Sequence, residues 1–186
     1  VQARLKAKDW TVDNPYAWVT LGAASFHNSS DQLTIKVVPH DPYKIKAVNV
    51  HVVQDLDDFV SVLHKRTGKP NAGTFDYKTD YLEDGGILAD QHEQTIPFSD
   101  FPDFVFCWGM NPDKCPPNLY TIVHVELQEP RNDNGDAWVD VPEAAFAEYD
   151  GAFERWDKDD GRVWGYYVTY PLAKAEPGHF IDANVN

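Results

Sequence analysis

Punctuation constrains this fold more than any other feature of the sequence. Short β-branched and aromatic runs alternate with turn clusters of Gly, Asn, Asp, Ser and Pro. The clusters are HNSSD (27–31), PHDP (39–42), RNDNGD (131–136) and DKDDG (157–161). Residues of this kind supply the backbone geometries that reverse a chain. Between them the spacing predicts strands over 17–26, 32–39, 45–53, 120–128, 137–141 and 162–172, with shorter ones at 73–78 and 93–98. Two short helices are expected. One spans 141–153 (VPEAAFAEYDGAF), with Pro142 in the first turn and alanines inside, and a weaker one spans 56–66 (LDDFVSVLHKR). Many strands, short turns and little helix indicate an all-β protein, an antiparallel β-sandwich with a barrel as the alternative. No βα alternation supports a doubly wound sheet.

The 186 residues suit one domain, 1–186, with a core from about 17 to 172 and loosely ordered N- and C-terminal segments. The formal charge of −14 disfavours nucleic acid, whose phosphates would be repelled, and an anionic membrane surface. No run of 18 apolar residues occurs, so no segment reads as a membrane-spanning helix. A cation, a neutral sugar or a neutral organic ligand is compatible with the charge.

Cys107 and Cys115 bracket a loop of Trp, Gly, Asn, Pro and Lys residues. A local disulfide is the first reading and would contribute about 2.5 kcal/mol; two unpaired thiols in a cytosolic protein are the other. Asn28 in NSS is a glycosylation sequon. Together they favour a secreted protein.

Two runs of valine, isoleucine and leucine each give a central position to histidine, His51 in AVNVHVV and His124 in YTIVHVELQ. Strand alternation puts Asn49, His51 and Val53 on one face and Val48, Val50 and Val52 on the other. Likewise Tyr120, Ile122, His124 and Glu126 oppose Thr121, Val123, Val125 and Leu127. Each histidine therefore sits on the more polar face of its strand. The plain reading is an imidazole on a solvated or half-buried sheet face. The sharper one brings the two strands together, so that His51, His124 and Glu126 hold a zinc-like metal ion. No ligand spacing of a known metal motif supports it.

These strands also carry a resemblance. The chain resembles a group of secreted single-domain β-sandwich proteins of bacteria and fungi, mostly without assigned function. The match is one of order: VNVHVV with His51; KPNAGTFDYK with Pro70, Gly73, Phe75 and Tyr77; YTIVHVEL with His124; DAWVDV with Trp138; VWGYYVTY with Trp164, Tyr166, Tyr167 and Tyr170. It covers Trp18 to Tyr170 and departs at the Cys107–Cys115 loop. The resemblance implies a sandwich, an extracellular setting and histidines at matched places, and no catalytic activity. The chain is similar also to a mushroom protein that binds an organic chromophore, without a motif to anchor the likeness. That adds a pigment to the ligands to be considered.

The aromatics Trp138, Trp164, Tyr166 and Tyr120 are candidate walls of a ligand site, and serve equally well as core filler. The acidic turns at 131–140 and 154–162 invite calcium, but neither fits the EF-hand pattern. No nucleophile elbow, phosphate loop or dinucleotide fingerprint occurs. The sequence therefore points to a secreted, non-enzymatic protein binding a small organic ligand or a metal ion near the two histidines. Its rivals are a carbohydrate-binding module using exposed aromatics and a metal-dependent hydrolase.

Overall fold

The computed structural model describes residues 1–9, 11, 17–84, 86–101, 118–131, 137–149, 151–154 and 163–172. The expected disulfide of Cys107 and Cys115 lies outside these residues, as do positions 132–136 and 155–162 of the acidic calcium-like turns. Among the described residues eleven strands form: β1 (Gln2–Lys8), β2 (Trp18–Asn28), β3 (Gln32–Pro39), β4 (Lys44–Val53), β5 (Tyr77–Asp80), β6 (His92–Pro97), β7 (Asn118–Pro130), β8 (Trp138–Asp140), β9 (Ala145–Glu148), β10 (Gly151–Glu154) and β11 (Val163–Pro171). A one-turn helix, α1 (Tyr81–Asp84), follows β5, and 3₁₀ segments lie at Leu56–Val62, Ala72–Thr74 and Phe98–Asp100. The protein is all-β, and every strand pairing among the described residues is antiparallel.

The long strand β7 organises the sheet. β4 runs along one edge of it, from Lys44 opposite Gln128 to Val53 opposite Tyr120. Its other edge is shared in succession by β11, β9 and β8. From β9 the sheet continues through β1, β2 and β3 to β6. Beyond β4 lies β5. The two ends approach one another where Ile45 and Ala89 exchange two backbone hydrogen bonds, of 2.8 and 3.0 Å, so the sheet is nearly closed.

Strand alternation decides what lies inside. Along β3, Leu33, Ile35 and Val37 are buried while Gln32, Thr34 and Lys36 are half-buried. The inner faces of β1, β2, β3, β4, β6, β7, β9 and β11 meet in one core that includes Leu5, Phe26, Ile35, Val50, Val123 and Tyr170. Gly22 permits a close crossing there, since a Cβ would lie 2.5 Å from the Val38 carbonyl oxygen. A second, smaller cluster covers the outer face of β4 and β7. It contains Val53, Phe59, Val62, Phe75, Ile122 and Phe146.

Three local expectations are corrected. The segment over 141–153, read as a helix, forms β9 and β10. Ala145 and Ala147 point into the main core while Phe146 points to the outer cluster, an alternation of period 2. The slot between β1 and β7 outweighs the helix propensity of alanine and glutamate. The N-terminal segment, expected to be loosely ordered, is β1, an interior strand whose Ala3, Leu5 and Ala7 are buried. The weaker helix candidate appears as the 3₁₀ segment Leu56–Val62, where the Asp55 side chain accepts from the Asp57 N–H at 3.0 Å.

The histidine face and a candidate ligand cleft

On the outer face of β4 and β7, Asn49 lies opposite His124 and His51 opposite Ile122. The two histidines are therefore diagonal neighbours on adjacent strands, a relation that places Cα atoms roughly 7–8 Å apart. The fold brings them side by side, and then gives each ring its own surroundings.

His51 is buried, with 7% of its surface exposed. Its ring packs beside Phe75 and Phe59, at centroid distances of 5.8 and 6.2 Å. Asp76 Oδ2 comes within 2.7 Å of Nδ1, but without the alignment of a hydrogen bond, and Nε2 has no partner among the described residues. Burial lowers the affinity of this ring for a proton, and the carboxylates of Asp76 and Asp58 only partly oppose that.

His124 is half-buried and stands edge-on to Phe146, at a centroid distance of 5.1 Å. Asn49 Nδ2 donates to its Nδ1 at 3.4 Å, which leaves the ring proton on Nε2. Burial, aided by the positive charge of Lys69, pushes its pKa down to about 4. At neutral pH the ring is an uncharged donor.

Beside His124 opens a cleft of about 310 Å³ lined by Lys46, His124, Glu126, Leu127, Asp140, Val141, Pro142 and Ala144. Its floor is β4 and β7, and its wall is the end of β8 and the segment that leads to β9. Lys46 Nζ reaches Asp140 at 3.1 Å and Glu126 at 3.5 Å. Gln128 Nε2 donates to Asp140 Oδ1 at 2.8 Å, so this carboxylate is held on both oxygens.

The three residues expected to hold a metal are thus differently engaged: His51 with Asp76, His124 with Asn49, and Glu126 with Lys46. Among the described residues no group of three His, Cys, Asp or Glu side chains is placed to hold a metal ion. The expected aromatic wall is dispersed. Trp138 pairs with Pro130 at one end of β7, and Tyr120 lies ten positions away, roughly 33 Å along an extended strand. Tyr120 packs edge-on to Tyr167 at 6.4 Å. Tyr166 packs edge-on to Trp18 at 4.8 Å, and Lys6 Nζ lies over its ring at 5.7 Å. Trp164 is on β11, and its side chain lies outside the description.

Sequence reasoning did not single out Lys46 as a cleft residue. Lys46 shares its strand with His51, and Asp140 sits in the Trp138 strand. Only the register of β4 and β8 against β7 unites them with Glu126. Compared with known protein families, curated proteins and solved structures, the chain matches none.

Proposed function

We propose that this is a non-catalytic binding protein that takes a small polar organic molecule into the cleft beside His124. One observation carries the reading. A concavity of about 310 Å³ gathers a neutral imidazole, an ammonium and two carboxylates around an apolar lining of Leu127, Val141, Pro142 and Ala144. Ligand sites have this composition, apolar walls with few polar groups that fix orientation. The lining holds no hydroxyl or thiol side chain, and its carboxylates are tied to Lys46 and Gln128. The extracellular setting belongs to the same proposal and rests on the Cys107–Cys115 pair together with the Asn28 sequon.

The test is native mass spectrometry of protein purified without denaturation, with an absorption spectrum of the same sample. The expected result is a stoichiometric organic adduct that is lost in His124→Ala and retained in Val60→Ala, a substitution at an exposed residue that does not line the cleft. Visible absorbance of the adduct would make the ligand a pigment. An adduct that persists in both His124→Ala and Glu126→Ala would move binding away from this cleft. Stoichiometric metal, lost with His51→Ala as well as His124→Ala, would replace the organic ligand by a metal site.

A further inference from the structure

The near-closure of the sheet depends on a short seam. Ile45 of β4 and Ala89 are joined by their two backbone hydrogen bonds. Next to them Lys44 forms an ion pair with Asp90. At the third point Tyr81, on α1, meets His92, the first residue of β6, with Oη 2.8 Å from Nδ1. Helix α1 itself rests on β4 and β5. The Tyr81–His92 contact therefore ties the β4–β5 end of the sheet to the β6 end.

His92 is an unusual choice for such a tie. Only 5% of its surface is exposed, and its Nε2 is buried with no partner among the described residues. The Tyr81 ring stands edge-on to it at 5.9 Å. In the neutral ring, Nδ1–H can donate to Tyr81 Oη and leave Nε2 as a bare lone pair. The protonated ring must carry an N–H at both nitrogens, and the second would be buried with no acceptor. That is the costly arrangement for a charged group in a low-dielectric site.

The charges around His92 do little to relieve it. Val37 faces it from β3. From α1 the facing group is Tyr81. Glu93, its neighbour on β6, is exposed and lies opposite Lys36. Lys44 and Asp90 neutralise each other at the seam. Burial lowers the proton affinity of His92 below the ordinary value of 6.5, and Glu93 opposes this only in part.

We infer that His92 and Tyr81 form an acid-released latch on the seam between β4 and β6. The closed seam binds fewer protons than the open one, so closure is strongest above pH 6.5 and weakens as pH falls below it. If the closed ring stayed neutral throughout, the opening equilibrium would rise by about thirtyfold between pH 7.5 and 5.0, and any protonation of the closed form reduces that factor.

Amide hydrogen exchange resolved by residue tests the latch, after correction for the intrinsic pH dependence of exchange. The protection of the Ile45 and Ala89 amides is compared with that of β2 amides in the same sample. At least a fivefold loss of seam protection relative to β2 is expected between pH 7.5 and 5.0. In His92→Gln, which keeps a polar partner for Tyr81 but does not titrate, the ratio should stay constant within twofold. His92→Phe, which keeps the ring and cannot titrate, should behave alike. A seam ratio that does not change with pH in the wild type would overturn the inference, as would an equal loss in both variants.

Discussion

At Gly165 a Cβ atom would sit 2.9 Å from the Phe146 ring. The missing side chain is what lets Phe146 lie across β11, and Phe146 in turn supports the edge of His124. Gly165→Ala is therefore expected to push the Phe146 ring aside and to cost roughly 1–3 kcal/mol, as overpacking does. The same change should raise the pKa of His124 from about 4 toward the ordinary value, because its desolvated edge is opened. Urea unfolding and an NMR titration of the imidazole read the two effects. Tyr170 gives a simpler case. Its Oη donates to Asn28 Oδ1 at 2.7 Å, and burial pushes its pKa up to about 12. Tyr170→Phe should lose about 1 kcal/mol, measured by the shift of the urea midpoint at unchanged slope. Asn28 is also the sequon residue. Its Nδ2 already donates to the Ser29 carbonyl at 3.0 Å, so the carboxamide serves the fold at both ends.

The 3₁₀ segment Leu56–Val62 shows how an element without regular period can close a face. Phe59 is 2% exposed and lies against the second cluster, whereas Val60, next to it, is 67% exposed. Phe59→Ala is expected to cost roughly 3–5 kcal/mol and Val60→Ala less than about 0.5 kcal/mol. Equal effects in denaturant unfolding would mean that the segment does not cover the sheet as described. The strands were largely legible in the sequence, because alternation such as Leu33, Ile35, Val37 needs only local information. The face on which each histidine lies was legible for the same reason. What covers that face was not, since Phe59 and Phe75 reach His51 from segments with no period of their own. β9 was misread because Ala145 and Ala147 carry a local helical preference and a strand position fixed only by β1 and β7. The cleft was half legible: His124 and Glu126 share a strand face, but Lys46 and Asp140 join them through register, which no local pattern encodes.

Acid response is a property of the whole molecule, and two effects pull it in opposite directions. A formal charge of −14 repels itself at pH 7, and lowering pH toward the pI of about 4.7 relieves that repulsion. Against it stand His51, His92 and His124, each held neutral by burial with its proton affinity lowered. For all three the folded state binds fewer protons than the unfolded chain once pH drops below about 6.5, so stability falls there, and for His124 it goes on falling to about pH 4. The shift of His124 alone corresponds to a loss of the order of 3 kcal/mol. Repulsion among exposed carboxylates is screened beyond about 8 Å at physiological salt, whereas the penalty for charging a buried imidazole is not. The histidines should therefore win. Thermal unfolding in 0.15 M NaCl is expected to show Tm level from pH 8 to 7 and falling steadily from pH 6.5 to 4.5, with a shallower fall in His124→Gln. A Tm that rises over that interval, and rises more at low salt, would show instead that self-repulsion governs the stability of this sheet.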